Sequence, residues 1–571
     1  MGNVNRREFL EELIATQTAQ PEDISKDVIF QKYANKQLPT GLAKTTSTLN
    51  QYSGAWTEVQ VRHLIRRTMF GVKDSDVQTL LAMTMSQAVD YLLSNIPAAP
   101  APPVCDYNTA TYTDTTGVAT GQTWVTAPNG DGTLNSKRRF SYKAWWFSVI
   151  ANQNLSIQEK MVFFWHNHFS TQTTTVGDPR YCYKHNVLLR TNALGNFKTF
   201  VQQITTDPAM LIYLSGYQNT KTNPDENYGR ELQELFTVSK YNTPNYSEAD
   251  VQAAAKVLTG WQVSGTTISS SFNSNLHDTT NKQFSSFYNN TIINGITGAN
   301  GSTEINGLIN MLFANVATAN YICTKLYRFF VYYNIDATID SDIIAPLAQL
   351  LISNNFEIKP VLSALLKSDH FFDPNNMGCY IRTPLDFLAG TWRTFGITLP
   401  TNFTVNQQFD IWNYLRNLGA TIGLDLGDPP NVSGWAPFYQ IPEYYEIWIN
   451  SSTLPTREEF TDLMLSTGFT AGSGTAVKIP LLSFIQAYPN ASDPDALVTY
   501  LTYLLLGVTV DATEHSNLTS ILLSGQVNPS YWTSAWLAYV GNPNTANTNI
   551  VQTRLASMLT VLLRLPEHQL C

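Results

Sequence analysis

Charged side chains are scarce in this 571-residue chain: Asp, Glu, Lys and Arg together make up 14%, where a typical soluble domain carries about 25%. The surface must therefore be covered largely by Asn, Thr, Ser, Gln and Tyr, as stretches 105–135 and 265–295 show. Cysteine is scarce too. The five (Cys105, Cys182, Cys323, Cys379, Cys571) are far apart and odd in number, which excludes a fully paired disulfide framework in a monomer and argues against a cysteine zinc site. No apolar run reaches the ~18 residues of a membrane span; the longest candidate, 497–510, is broken by Thr, Tyr and Gly. Basic runs are missing as well. With a net charge of −9 and a pI near 5.4, the chain does not read as a nucleic-acid binder or as a protein held on anionic lipid.

What is present is a large apolar complement, 43% hydrophobic and 12% aromatic, enough for a sizeable core and incompatible with a disordered or fibrous chain. Apolar residues recur at helical spacing along most of the length. Val59, Val61, Leu64, Ile65 and Met69 form one stripe ending at Gly71, and one helix is predicted over 74–93. Dense aromatic helices follow at 140–152 and 156–169, and others at 183–194, 224–238, 247–258, 303–313, 318–331, 342–353, 360–368, 384–395, 457–465, 492–506 and 547–564. Strand-like alternation is rare. The expected class is all-α, a large multi-helix globular fold with long irregular loops and minor β content in 104–136 and 262–295. Three regions are expected: an N-terminal arm over 1–54, a main helical domain over 55–400, and an aromatic loop with a C-terminal helical region over 401–571 packed on it.

Four segments carry groups capable of chemistry. In Phe163-Phe164-Trp165-His166-Asn167-His168-Phe169 the two histidines stand two residues apart, on opposite sides of a helix. They reach one point only where the helix ends; otherwise one faces a site, or both are satisfied in an aromatic core. In the segment from Asn223 to Phe236, Asn223 reads as an N-cap, Pro224 as the first helical residue and Glu226 as the capping-box acid. Glu226, Arg230 and Glu234 share a stripe on which the arginine bonds both carboxylates. Glu231, at the border of the apolar face, is either in a buried ion pair or aimed into a cavity as an acid, base or ligand. The third segment, His277-Asp278, offers a metal-ligand pair or a base with its orienter, or is a solvated loop; nearby Lys282 could hold an anion. The fourth, Gly427 to Trp435 followed by Tyr439, Tyr444, Tyr445 and Trp448, has the Pro and aromatic content of a platform for sugar rings or a lid, with Asp428, Trp435 and Tyr439 as substrate contacts. Packing of this loop onto the core is the alternative. Arg66 and Arg67 are the expected buried counter-charges of the carboxylates.

In order along the chain, these segments resemble the bacterial domain-of-unknown-function 1800 family. The resemblance rests on His63 to Gly71, Phe164 to Phe169, Leu188-Leu189-Arg190, Ala193 to Phe197, Asp207 to Met210 and Asn223 to Thr237. It continues through Leu258-Thr259-Gly260-Trp261 and Pro429 to Trp435 to Leu565–Leu570. It implies a mostly helical bacterial protein, often encoded beside a sulfatase-like protein of the domain-of-unknown-function 1501 family. Asn192 stands where many members carry histidine. Members of both families often begin with a twin-arginine export box, which Asn5-Arg6-Arg7-Glu8-Phe9-Leu10 resembles, although only three apolar residues follow where an export signal needs ~7–15. The low charge and the family habit favour export to the periplasm or cell surface; the short apolar stretch favours the cytoplasm. The balance falls narrowly to export.

Three functions compete. One is a metal-assisted hydrolase of an extracytoplasmic glycan or polymer. In it His166, His168, Glu231, His277 and Asp278 gather on one divalent ion (zinc, iron or manganese), with Glu231, His166 and Arg230 as the catalytic groups. A second is a non-catalytic assembly or partner subunit of a sulfatase-like protein, the polar groups forming a buried network that fixes helix packing. The third is a metal-free acid–base enzyme using Glu231 with a histidine.

Overall fold

The computed structural model describes residues 47–240, 245–435, 446–471, 474–508 and 510–571. Helices dominate, as apolar periodicity dictates. The elements that position the sites are α1 (Glu58–Thr68), α2 (Gly132–Ala151), α3 (Gln158–His168), α4 (Pro179–Thr191), α5 (Asn227–Glu231), α6 (Glu248–Val257), α7 (Val316–Phe330), α8 (Pro384–Thr394), α9 (Val405–Thr421), α10 (Thr453–Leu465), α11 (Pro494–Leu506) and α12 (Thr545–Arg564). Most start on a residue whose side chain satisfies an orphan N–H. Asp131 accepts from the Leu134 amide at 2.8 Å ahead of α2, and Thr383 from Asp386 at 3.1 Å ahead of α8. Pro179, Pro384 and Pro494 each occupy a first helical position, where a missing N–H costs nothing.

Among the described residues β structure is confined to three two-stranded antiparallel ladders. The hairpin β1 (Trp261–Ser264) with β2 (Ser269–Phe272) pairs Trp261 with Phe272, inside the stretch expected to hold β content. Region 104–136 has only isolated bridges before α2 begins. The class is all-α. No helix among the described residues is long and apolar enough to cross a membrane.

Several local expectations need correction. The helix expected over 140–152 begins earlier, at Gly132 behind its Asp131 cap, and α9 lies where no helix is predicted. The helix predicted over 74–93 is two, Asp74–Leu81 and Met85–Ser94, because Thr84 and Gln87 form a capping box that starts a new helix. The helix expected from Pro224 begins at Asn227. Asn223 instead pairs with Thr220 in a turn, and Asp225 accepts the Asn227 amide at 2.8 Å.

Residues 47–571 form one compact unit around a continuous core in which Trp124, Trp146, Trp165 and Trp532 are fully enclosed. Here α9 lies along α2, α3 against α4, and α10 against α12. Glycines set the closest approaches: a Cβ on Gly71 would lie 2.5 Å from the Gly390 Cα, so α8 abuts the chain leaving α1 only because both residues lack side chains. The end of the expected N-terminal arm is tied down. The Tyr52 amide donates to the Lys367 carbonyl at 2.8 Å, and the Asp369 amide to Asn50 at 2.8 Å. Residues 1–46 lie outside the described residues.

Candidate functional site

Helix α3 ends at His168, and its two histidines face apart as their spacing demands. The His166 ring stands edge-on to Trp146 at 4.9 Å and tilted against Trp435 at 5.5 Å. Its Nε2 is buried with no hydrogen-bond partner among the described residues. Burial first, and then His185, push its pKa down to about 3, so it is a neutral ring in an aromatic box. On the other side, His168 Nε2 lies 3.2 Å from the Phe236 carbonyl oxygen and its ring parallels Phe164. Burial and then Lys325 hold it well below the ordinary value.

The described first part of the loop, 427–435, is locked onto α3 and the segment that follows it. The Trp435 amide donates to Asn167 Oδ1 at 2.7 Å, and the Trp435 ring, 2% exposed, packs on Phe163 at 5.6 Å. Asp428 accepts from the Thr173 hydroxyl at 2.7 Å and the Thr174 amide at 3.0 Å, and is ion-paired with Lys143. Burial alone would raise its carboxyl; Lys143 and these donors keep it below the usual value. Both are anchors rather than open substrate contacts. Tyr439 lies outside the described residues, as do Tyr444 and Tyr445.

The His277-Asp278 segment is not solvated. His277 Nε2 lies 3.0 Å from Glu304 Oε1, Lys282 Nζ lies 2.6 Å from Glu304 Oε2, and all three side chains are 0–1% exposed. Asp278 accepts from the Thr280 amide at 2.8 Å. Lys282, offered as an anion holder, is spent on Glu304. The segment closes a buried ion network.

Glu231 is different. It ends α5, and Leu232–Phe236 continue as a π-helical turn in which the Thr237 hydroxyl donates to the Leu232 carbonyl at 2.6 Å. The wider turn rotates the residues beyond it off the stripe that α-helical spacing predicts. Arg230 consequently bonds Glu226 at 3.1 Å and Glu248 at 2.7 Å, bracing α5 on α6, while Glu234 faces Lys240 at 3.4 Å. Arg230 is thus a brace, not a substrate group. Glu231 itself is half-buried and has no hydrogen-bond or ion-pair partner among the described residues. Burial, and then the neighbouring Glu234 charge, raise its carboxyl to about 7, against the pull of Arg230 and Lys240.

Two tyrosines that the sequence reading missed feel its charge. Tyr213 and Tyr321, both half-buried, feel the Glu231 charge: Tyr213 is raised to about 12 by burial and then Glu231, and Tyr321 is raised by burial with Glu234 and Glu231 adding to it. One turn along α7, Lys325 Nζ lies 5.5 Å from the Tyr321 ring centroid; burial and then Arg328 lower its pKa to about 8. The Tyr321 ring also lies 6.3 Å from that of His168. A lysine and an arginine three apart among the apolar residues Ile322, Cys323, Leu326, Phe329 and Phe330 were the available signal.

The expected metal set of His166, His168, Glu231, His277 and Asp278 is not brought together. Among the described residues no group of three or more His, Cys, Asp or Glu side chains is arranged to hold a metal ion. The aromatic box claims His166, and Glu304 claims His277. Arg66 and Arg67 are not counter-charges of these acids either: Arg66 Nη2 donates to the Leu504 carbonyl at 2.8 Å and Arg67 Nη2 to that of Phe329 at 2.8 Å. His185, outside the expected set, also carries a carboxylate on its ring, Nδ1 lying 2.9 Å from Asp207 Oδ2. Its Nε2 is taken by the Phe169 carbonyl at 3.3 Å.

A family model described as Protein of unknown function (DUF1800) matches residues 63–570. No curated protein and no solved structure matches the chain.

Proposed function

This chain belongs to the DUF1800 family, and from that premise we propose that it is an acid–base enzyme, a hydrolase of an extracytoplasmic glycan or polymer that uses Glu231 as its proton-transferring group. One observation carries the reading: a half-buried carboxyl, unpaired among the described residues, raised to about 7. Near neutral pH such a group holds a proton it can donate to a leaving oxygen, and recovers it from water. The Tyr213 and Tyr321 hydroxyls, whose ionisation the Glu231 charge opposes, supply donors for a developing negative charge. His168 acts as a positioning residue, its ring bonded to the π turn that follows Glu231. The low charge of the chain supports a place outside the cytoplasm, and the aromatic rings near Glu231 suit sugar faces.

The test is incubation of the full chain with a panel of neutral and acidic polysaccharides, reading new reducing ends, beside Glu231→Gln. The expected result is turnover by the native chain and a loss of about 10²–10⁴-fold in the variant, with a melting temperature no lower than the native one. Equal release by both, or none from either, overturns the hydrolase reading and leaves the non-catalytic partner role.

A further inference from the structure

The exposed face of α4 carries a groove that Glu231 does not line. It consists of two adjoining hollows of about 260 and 400 Å³ that share Tyr183 and Val187. The first is walled by Trp145 of α2 and by the Pro/Ala segment 97–100, kept in place where Trp145 Nε1 donates to the Ala101 carbonyl at 2.7 Å. The second lies between Val125-Thr126 and the turn Thr266-Thr267-Ile268 that joins β1 to β2. Both neutral polar stretches of the sequence, 105–135 and 265–295, thus supply walls. The α4 residues on the lining run from Arg180 to Thr191, about 16 Å at ~1.5 Å per helical residue, a length that takes several sugar rings in line.

The lining has little free charge. Arg180 is spent on both oxygens of Asp178 and on the Ala127 and Gly265 carbonyls, and Arg190 on both oxygens of Glu159. Lys184 gives its ammonium to the Ile268 carbonyl. Two half-buried aromatic rings remain, Trp145 and Tyr183, edge-on with centroids 5.4 Å apart. So do three hydroxyls, on Tyr183, Thr126 and Thr266, that have no hydrogen-bond partner among the described residues. Aromatic surface with neutral donors and acceptors beside it suits an uncharged ring that carries hydroxyls of its own. The rim is strained as well. Ile268 is held at φ +48°, which a β-branched residue adopts only where its surroundings impose it.

We propose that this groove is an accessory binding site for a neutral polysaccharide chain, holding it along α4 without the Glu231 carboxyl. The ligand class rests on the glycan reading above. The experiment is calorimetric titration of the full chain, native and Glu231→Gln, with cellohexaose, maltohexaose and chitohexaose, and with decaproline as the peptide alternative. The expected result is saturable binding of at least one hexasaccharide by both chains. Val187→Glu sets a charge between the two hollows at a position already 40% exposed; it should weaken binding about tenfold or more with the melting temperature kept. Tyr183→Phe, which keeps the ring and loses the hydroxyl, should weaken it about three- to tenfold. Val316→Glu, 57% exposed on α7 and off the lining, should leave it unchanged. No hexasaccharide binding, binding undiminished in Val187→Glu, or capture of decaproline alone overturns the proposal. Polysaccharide turnover without groove binding overturns it too and spares the Glu231 reading, whereas groove binding without turnover sinks that reading and supports this one.

Discussion

Asn167 Oδ1 accepts the backbone amide of Trp435 at 2.7 Å, joining two segments 268 residues apart that had each been read as a site in its own right. The joint explains Gly434. A Cβ there would lie 2.2 Å from Asn167 Oδ1, and its φ of +89° favours glycine besides.

Removing the acceptor strands a partly buried amide. Asn167→Ala should lower stability by about 1–3 kcal/mol, and Gly434→Ala, which adds a clash to a strained backbone, should cost at least as much. Urea denaturation of both variants checks this; midpoints equal to the native one would mean that the lock is dispensable.

Glu231 sets a pH dependence of known sign. Its carboxyl titrates near 7 in the folded chain and at 4.5 by default, so between those values the folded state binds the extra proton and stability falls as pH rises. Glu231→Gln has no such penalty. The difference in urea midpoint between variant and native chain should grow in favour of the variant from pH 4.5 to 7 and level off above. A difference that stays flat across that window would place the carboxyl in an ordinary, solvated setting.

Lys282 and Glu304 are sealed with His277 at 0–1% exposure. Lys282→Met leaves Glu304 with the imidazole and the Ile296 amide but no full positive charge and should destabilise the chain by about 3–5 kcal/mol. Because the ring and the carboxylate already occupy each other, dialysis against a chelator should leave the native melting temperature unmoved. A chelator-induced drop restored by zinc or manganese would revive the metal reading.

Gly507 ends α11 at φ +78°, and a Cβ on it would stand 2.1 Å from Arg66 Nη1. The guanidinium passes close against the glycine and donates to two carbonyls of α11. Gly507→Ala should therefore cost about 1–3 kcal/mol through left-handed strain alone, and more through displacement of Arg66. Thermal melting of the variant beside Gly525→Ala, at φ +77° with open space around it, separates the clash from the strain; equal losses would show that the arginine moves freely.

The helices were legible because their signals are local. Thr383 and Asp493 cap as Thr and Asp cap anywhere and Pro384 sits where proline is tolerated, whereas the Asp131 cap, which starts α2 well before Phe140, and Pro179, which starts α4 before Tyr183, were passed over. An aromatic stripe buries itself whatever it meets. Glu231 was legible as an acid at the edge of an apolar face, though not as the unpaired one. The π turn was invisible, and with it the turning of Glu234 from Arg230 toward Lys240, since one widened turn rotates every residue after it.

By itself the sequence determined the all-α class, the scarcity of charge and the chemical groups on offer. Tertiary structure alone decided which of them were used up. An imidazole is ligand, base or packing according to what lies within ~3 Å of its nitrogens, and for His277 that neighbour is Glu304, for His168 the Phe236 carbonyl, for Glu231 no partner among the described residues. Partners so distant along the chain leave no periodicity behind, so only the folded geometry separates the free carboxyl from the satisfied ones.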